Sequence, residues 1–498
     1  MDESKKDTRD EVIAELQQQL KDALAALKKA KKRIEQLEKE LGKSPSTRLD
    51  ESFSMNAEEK RQKRRARSSK AKKAKVRKGR LSKAQKIEMA VRTEQVFPEG
   101  VSREDCQLSH TRPIWRFENG QTVMVAYEVY RGSKDQYGQV PGAFGRSEFG
   151  IEIVITLAFL VYGTGLSFDK ACLMLNFFQG LQLRKSQVDA LLKQLARHWE
   201  QEFEVLCTLL ANSAVVHADE TSWSIHSVWA FLSENARLIF SGVPKDANTL
   251  AAVLNPKTFA GTVISDDAAV YANFSSAQKC WAHLLRKAIK LTLMEPENHE
   301  YREFTDRLLE IYKRACRIQA DGRLSEQGRR ARVAKLEDEI LSLCAPMWIE
   351  ELPPQEDEAR DDYRKLANEL MRLRRTDQLF TFVTGGIIQQ PNGETSVMAG
   401  TNNEAERTLR SAANARKTGR TSKTLQGAKR RTVIESVLES LRVHLPEFTL
   451  TGILDEIANW SETGRSCFRD LLQRLKLPPP ETGVLKALFP PPAATTLT

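Results

Sequence analysis

The amino-acid sequence predicts an α/β protein whose core is a mixed five-stranded sheet with helices. Short, β-branched apolar segments alternate with helical segments between residues 213 and 292, which is typical of such a core. Residues 293–400 then show many charged neighbours four positions apart and few strand signals, as expected of a helical insertion. Ahead of the core, residues 1–92 combine a heptad repeat with a basic segment, and the basic segment cannot bury enough apolar surface to fold alone.

The N-terminal repeat has the a/d pattern of a coiled coil. Apolar side chains recur every seven residues and again three positions later. The repeat consists of Ile13, Leu16, Leu20, Ala23, Leu27, Ala30, Ile34, Leu37 and Leu41. We therefore expect a coiled coil that makes the protein a homo-oligomer, and a single amphipathic helix packed on the body is the alternative.

Positive charge is concentrated in one segment of the chain. Fifteen Lys and Arg and no acid lie between Lys60 and Lys86, and removing them from the net charge of +11 leaves −4 for the remainder. Residues 44–92 hold few large apolar side chains, so we expect an unfolded arm that contacts nucleic-acid phosphates; a solvated linker is the alternative. The candidate DNA contacts in the arm are Arg64, Arg65, Lys72 and Lys73.

Cysteine usage and hydropathy favour a cytoplasmic protein without a membrane partner. The seven cysteines form no close pairs, so we expect reduced thiols and no disulfides. The N-terminus lacks the apolar stretch of a secretory signal. The most apolar segment, Phe149–Tyr162, contains Glu152 and is shorter than the roughly 20 residues that a bilayer crossing requires. We therefore expect that segment to be a buried helix.

A β-hairpin is predicted at 114–131. Aromatic and β-branched side chains flank the Asn-Gly pair at 119–120, which is typical of a tight two-residue turn. Cys106 and His110 precede the hairpin, but a zinc site would need two more ligands at close spacing, and the sequence offers none. We therefore expect a small β-containing region at 93–145 without a metal.

Two helices joined by a short glycine-containing turn are predicted within residues 166–205. Ser167 is the expected N-cap of the first helix, and Ser186 with Asp189 forms a capping box that opens the second. Such a pair can be a helix-turn-helix that recognises a specific DNA sequence. An ordinary helical hairpin has the same signature, so both interpretations stay open.

Carboxylates follow two of the predicted strands. Segment 214–219 ends in Asp219, and segment 261–267 ends in Asp266 and Asp267. The other elements predicted here are strands at 228–232, 237–240 and 277–281 and a helix at 247–254. Three strands, helix, strand, helix, strand, helix is the order of a ribonuclease H-like sheet. Its adjacent central strands would bring Asp219 and Asp266 together.

A third acid is predicted on a helix beyond the insertion. Asn403 is the expected N-cap of this helix, and Glu406 lies on its first turn. Phosphodiester cleavage by two-metal catalysis requires carboxylates that hold two hard cations roughly 3.5–4 Å apart. Asp219, Asp266 and Glu406 are the candidate catalytic and metal-binding set. Taken singly, Glu406 could complete a capping box with Asn403, and the aspartates could be turn formers.

Four short motifs occur in order along the chain. They are His-Ala-Asp-Glu-Thr at 217–221, Ser-Asp-Asp-Ala-Ala-Val-Tyr at 265–271, Cys-Trp-Ala-His-Leu-Leu-Arg at 280–286 and Asn-Asn-Glu-Ala-Glu-Arg-Thr-Leu-Arg at 402–410. With them, residues 150–445 resemble the insertion sequence 66 family of DDE transposases. The resemblance implies two Mg²⁺ ions, which Mn²⁺ can replace, and cutting and joining of DNA by a bacterial, nucleoid-associated protein. The family's catalytic residues fall on Asp219, Asp266 and Glu406.

The second motif departs from the family pattern. The family usually has Gly-Tyr after its second aspartate, whereas Asp267 and Ala268 follow here, so Asp267 competes with Asp266 for the role. The spacing to Tyr271 favours Asp266. The cysteine-rich zinc segment that many members carry before the core is absent or degraded here, which leaves the recognition of element ends open.

Basic residues near the third acid are candidates for DNA contact, with a solvated helix face as the alternative. They are Arg407, Arg410, Arg416 and Lys417. Cys280 and His283 are expected to pack at a strand end rather than bind metal, and Trp223 and Trp281 are expected in the core.

The leading hypothesis is a transposase that acts on element ends and target DNA. The alternatives are a non-catalytic DNA-binding protein from an inactive element and a structure-specific nuclease on the same fold. The predicted divisions are a coiled coil at 1–43, a basic arm at 44–92, a β-containing region at 93–145, a helical region at 146–212, the core at 213–292, the insertion at 293–400, the last core helix at 401–443, and a helical segment with a Pro-rich tail at 444–498.

Overall fold

The chain divides into two compact units, Met1–Arg80 and Leu81–Thr498. A computed structural model describes residues 81–132, 136–349, 358–385, 387–389, 395–480 and 483–490, and eight positions between 18 and 32.

In the first unit the eight described positions are helical and exposed, including Leu27 of the heptad repeat. Self-association through this segment stays a prediction. The candidate DNA contacts Arg64, Arg65, Lys72 and Lys73 lie outside the described residues.

The second unit begins with helix α1 (Lys83–Glu88) and a small three-stranded sheet. Strand β2 (Gln107–Glu118) pairs antiparallel with β3 (Gln121–Arg131), and β1 (Arg92–Val96) joins β3 in parallel. The two residues between β2 and β3, the Asn-Gly pair at 119–120, have positive φ values of 50° and 76°. Since a type I′ turn requires positive φ at both central positions, the predicted hairpin is confirmed.

The apolar segment predicted to be a buried helix forms α2 (Ile151–Ala158), which continues as a π-helix to Gly163. Most of its side chains are buried, as predicted. Helix α3 (Phe168–Gln179) follows and begins as expected at Ser167, whose hydroxyl accepts a hydrogen bond from the Lys170 N–H.

Helix α4 (Lys185–Ala211) begins two residues earlier than predicted, because its N-cap is Arg184 and not Ser186. The Arg184 N–H donates to Gln187 Oε1 (3.0 Å), and Ser186 lies inside the first turn, so the predicted capping box is wrong. The long apolar face of α4 is buried in the main hydrophobic core, where it supports the larger sheet. Recognition of a DNA sequence by α3 and α4 stays a prediction.

The larger sheet has five strands in the order β6-β5-β4-β7-β8. They are β4 (Val215–Ser222), β5 (Ser227–Leu232), β6 (Arg237–Val243), β7 (Thr262–Ser265) and β8 (Ala277–Lys279), with helix α5 (Ala247–Val253) ahead of β7. The first three strands pair antiparallel, and β7 and β8 extend the sheet in parallel on the other side of β4. The predicted mixed five-stranded sheet with helices is confirmed.

A helical region follows β8, as predicted for the insertion. Helix α6 (Trp281–Met294) leads from β8 into this region, whose further elements are α7 (His299–Ala320), α8 (Glu326–Cys344), α9 (Pro346–Ile349), α10 (Glu358–Arg375) and α11 (Thr381–Thr384). The spacing of Leu336, Ile340 and Leu343 places all three in the buried core of this region. A short hairpin that the sequence did not predict, β9 (Ile387–Gln389) with β10 (Thr395–Val397), comes after α11.

The prediction of one helix over 401–443 is wrong, because two helices occupy this range. Helix α12 (Asn403–Lys417) ends where Gly419 adopts a positive φ of 67°, a common way to stop a helix. Helix α13 (Leu425–His444) then packs against α4 and β6. The remaining described helices are α14 (Leu450–Thr463), α15 (Cys467–Arg474) and α16 (Val484–Leu488). Across the described ranges, no helix combines the length and apolarity needed to cross a bilayer.

Helix α13 covers the free edge of β6 with a row of hydroxyl groups. The backbone N–H of Ile239 donates to Ser436 Oγ (2.8 Å), and that of Arg237 donates to Ser440 Oγ (3.0 Å). One turn earlier on α13, Thr432 accepts in the same way from the next β6 N–H. An exposed strand edge invites pairing with another chain, and these side chains satisfy its donors instead.

Candidate active site

The two aspartates lie on neighbouring parallel strands. In the β4–β7 pairing His217 is opposite Ile264, so continuing the register by two residues puts Asp219 beside Asp266. Neighbouring strands are about 4.8 Å apart, which brings the two carboxyl groups to one place on the sheet. Asp219 lies inside β4, which runs on to Ser222, and not at the strand end as predicted.

Asn402 joins the third acid's helix to the sheet. It is fully buried, its amide donates to the backbone oxygen of Ala218 (2.8 Å), and its Oδ1 lies 3.2 Å from His217 Nδ1. Its own N–H donates to Cys280 Sγ (3.1 Å). Asn402 therefore fixes the start of α12 against β4 and α6.

Asn402, not Asn403, is the N-cap of α12, which corrects the sequence prediction. The shift places Glu406 four residues after the cap, so the alternative of a capping box between Asn403 and Glu406 does not hold. The Glu406 carboxylate instead accepts a hydrogen bond from Arg286 (2.5 Å) and lies 3.5 Å from His283 Nδ1.

The electrostatics of Asp219 reflect its crowded position. Burial raises the pKa of its carboxyl group from 3.8 to about 7, and the charges of Glu220, Asp266 and Glu406 add to the increase. A hydrogen bond from the Glu220 N–H (2.9 Å) opposes it. The three predicted acids are thus close enough to influence one another, although their oxygen atoms do not all lie within 4.8 Å.

Lys279 contacts the backbone at Asp266, and the sequence analysis did not identify it as a site residue. Its side chain is buried, and its ammonium donates to the Asp266 backbone oxygen (3.0 Å) and to Ser265 Oγ (3.2 Å). Burial lowers the pKa of Lys279, and Asp267 and Asp266 oppose this effect. A lysine inside the short strand predicted at 277–281 was the available signal, but its position could not show what it contacts.

Glu220 is a second functional candidate that the sequence did not reveal. Only 2% of its side chain is exposed, next to Asp219 along β4. It accepts a hydrogen bond from the Tyr271 hydroxyl (2.5 Å) and forms an ion pair with Lys245. These partners satisfy the charge and the hydrogen-bonding capacity of the buried Glu220 carboxylate. They differ from the partner of Asp219, so the two neighbouring acids have different roles.

Asp267 has an ion-pair partner of its own on the insertion. It forms an ion pair with Arg372 of α10. Both Asp266 and Asp267 line a cleft of about 550 Å³ between the sheet and the insertion. The structure therefore gives the two neighbouring aspartates different partners.

Cys280, His283 and Glu406 have potential ligand atoms within 4.8 Å of one another. Burial raises the pKa of the Cys280 thiol, which disfavours the thiolate that binds metal. His283 Nδ1 is buried without a hydrogen-bond partner. Trp281 and Trp223 are both buried, as predicted.

The candidate DNA contacts on α12 are exposed, but they have different surroundings. Arg416 donates to the backbone oxygen of Ser222 (2.9 Å) and is thereby tied to the end of β4. Arg407 donates to the Asn403 backbone oxygen (3.2 Å). Arg410 and Lys417 face solvent. All four stay predicted contacts.

Comparison with known families matches residues 146–430 to the model described as Transposase IS66 family. No curated protein matches the chain.

Proposed function

This chain belongs to the IS66 family of transposases, and we propose that it cleaves DNA at element ends and joins the freed ends to target DNA. The observation that carries the proposal is the side-by-side placement of Asp219 and Asp266, with Glu406 held near them by the Asn402 anchor. The strand order and directions of the larger sheet support a ribonuclease H-like core.

The residues present suit divalent metal ions of the magnesium type. Asp219, Asp266 and Glu406 offer hard oxygen ligands, which Mg²⁺ and Mn²⁺ prefer. Burial raises the pKa of Asp219, so a bound cation would favour its ionised form. Asp219 and Asp266 would hold one ion between them, and Glu406 would complete the set after leaving Arg286. When bound, two such ions stabilise the attacking and leaving oxygens of a phosphodiester.

The chain's own groups then have separate tasks. Lys279 holds the backbone at Asp266, so this carboxylate keeps its place beside Asp219. Arg286, once released by Glu406, is free to bind a phosphate oxygen of the substrate. The attacking group is water in cleavage and a DNA 3′-hydroxyl in joining, so the protein itself supplies no nucleophile.

Substitution of each acid tests this proposal. We expect Asp219→Asn, Asp266→Asn and Glu406→Gln each to lower Mg²⁺-dependent cleavage by at least about 1000-fold while DNA binding persists. Glu404→Gln is the matched control, because Glu404 shares the first turn of α12 but pairs with Arg237. The substrate is DNA with the genomic sequence from either side of the coding region, where inverted repeats are expected.

Product analysis separates the possible outcomes. Covalent joining of a cut 3′-end to a second DNA supports transposition, whereas cleavage without joining indicates a nuclease. Full cleavage by the triple variant would exclude the proposed catalytic set.

We also propose a homo-oligomer formed through the coiled coil, and phosphate contacts from the basic arm and from α12. The exposed, helical heptad residue Leu27 supports the first part. Sedimentation of the full chain and of a Leu20→Lys, Leu27→Lys variant tests it, and an unchanged molecular mass would refute it.

A further inference from the structure

We propose that helix α10 of the insertion forms a binding site for the DNA backbone, opposite the catalytic acids. In this site Arg372 and Lys365 of α10 bind phosphates together with Lys287 of α6. The inference rests on the proposed function and names the surface that receives the substrate.

The cleft beside the acids has two walls of different origin. Asp266 and Asp267 line it from the sheet and Lys287 lines it from α6 on one side, whereas Lys365, Asn368 and Arg372 line it from α10 on the other. With a volume of about 550 Å³, the cleft has room for a nucleotide unit, and it opens to solvent. A substrate phosphate bound at the acids would therefore lie against α10.

Two ion pairs cross this cleft and join its walls. Arg372 pairs with Asp267. Lys287 Nζ donates to both carboxylate oxygens of Glu369 on α10, at 2.7 and 2.5 Å. The acids neutralise two cations that face the route to the catalytic site.

A phosphate can replace a carboxylate as the partner of either cation. Guanidinium groups bind phosphate through two parallel hydrogen bonds, and ammonium groups bind it as point charges. The side chain of Asp267 is 28% exposed and that of Arg372 is 43% exposed, so solvent and ligand can reach this pair. Asp267 therefore holds Arg372 in position until a DNA phosphate replaces the Asp267 carboxylate as its partner. This gives Asp267 a role other than metal binding.

DNA binding in a catalytically inactive background tests the inference directly. We use the full chain with Asp219→Asn, in EDTA, and measure the anisotropy of a fluorescein-labelled duplex of random sequence over a series of NaCl concentrations. Arg372→Gln should weaken binding and reduce the slope of log K against log salt by about 1, the loss of one phosphate contact. Asp267→Asn should strengthen binding about 3- to 10-fold, because it releases Arg372.

Glu326→Gln is the matched control, since it also removes one acid and releases one arginine, Arg330, on helix α8. We expect it to change affinity less than about 2-fold. Lys365→Ala provides a second test at a side chain that is 69% exposed, where misfolding is not expected. Thermal unfolding verifies that each variant is folded.

Unchanged salt slopes for both Arg372→Gln and Lys365→Ala would overturn the inference. An equal gain of affinity in Asp267→Asn and Glu326→Gln would do the same, because it would reflect net charge alone. The measurement involves no cleavage, so these outcomes can be interpreted even if the catalytic proposal fails. Conversely, if the unmodified protein cleaves DNA and the α10 variants bind DNA as well as their parent, only the α10 site is refuted.

Discussion

The two edges of the five-stranded sheet are both covered, but by different chemistry. On the β6 edge, α13 presents hydroxyl groups such as Ser436 to the strand backbone. On the β8 edge, the side chain of Gln278 donates to the Leu379 backbone oxygen (3.0 Å) and accepts from the Phe382 N–H (2.9 Å). The Lys279 N–H also donates to the Gln378 backbone oxygen.

The difference shows which edge serves the site. The β6 edge is closed by a helix of the main core, and its hydroxyl row is remote in the sheet order from β7. The β8 edge is closed by the end of the insertion and carries Lys279, which supports Asp266. Coverage of β6 therefore stabilises the fold, whereas coverage of β8 also places the insertion beside the acids.

The largest effect is expected at the β8 edge. Gln278→Ala removes a fully buried side chain and leaves the Phe382 N–H without its partner, while the Leu379 oxygen keeps only the hydrogen bond from Trp281 Nε1. We expect the free energy of unfolding in urea to fall by about 2–4 kcal/mol and cleavage to fall with it, because the insertion loses its anchor. A loss below about 1 kcal/mol would show that other contacts hold this edge.

A smaller effect is expected at the β6 edge. Ser436→Ala leaves the buried Ile239 N–H unsatisfied, so we expect a loss of about 1–3 kcal/mol in urea unfolding. Cleavage measured well below the melting temperature should match that of the unmodified protein, since Ser436 has no contact with the acids in the described part of the chain. Reduced cleavage at full folding would contradict the division of roles between the edges.

Between the two edges, the acid on the central strand should make stability depend on pH. The pKa of Asp219 is about 7 in the folded protein, above its unfolded value of roughly 3.9. The folded state therefore binds more protons between these values, and stability falls as pH rises from 4 through 7. In EDTA, the free energy of unfolding of the Asp219→Asn variant should exceed that of the unmodified protein by about 1–2 kcal/mol at pH 8. At pH 4 the two values should differ little.

Thermal melts across this pH range measure the difference. Added Mg²⁺ should reduce the advantage of the variant at pH 8, because a bound cation compensates the carboxylate. A variant advantage that is the same at pH 4 and pH 8 would contradict the assigned pKa.

The smallest effect is expected at a surface ion pair away from both edges. Glu326 and Arg330 are exposed neighbours on α8, 2.5 Å apart. Glu326→Gln should change the free energy of unfolding by less than about 0.5 kcal/mol, since solvent screens such pairs. This value sets the scale against which the edge variants are judged, and a cost above about 1 kcal/mol would undermine that comparison.

Much of the fold could be predicted because its signals are local. Strand and helix periodicity located the elements of the sheet, and the Asn-Gly pair located the hairpin turn. The positions of Asp219 and Asp266 after apolar runs indicated that they meet. The starts and ends of helices were harder to predict. Gly419 and the observed N-caps Arg184 and Asn402 have equally plausible candidates nearby in the sequence.

The amino-acid sequence by itself determined the order of elements, the candidate acids and the segments that carry charge, since each depends on residues close together in the chain. Only the tertiary structure decided that Asn402 anchors α12, that Lys279 supports Asp266 and that Asp267 pairs with Arg372. These contacts join residues 13 to 184 positions apart. Their formation depends on packing, which brings distant residues within a few ångströms in a way that no local pattern encodes.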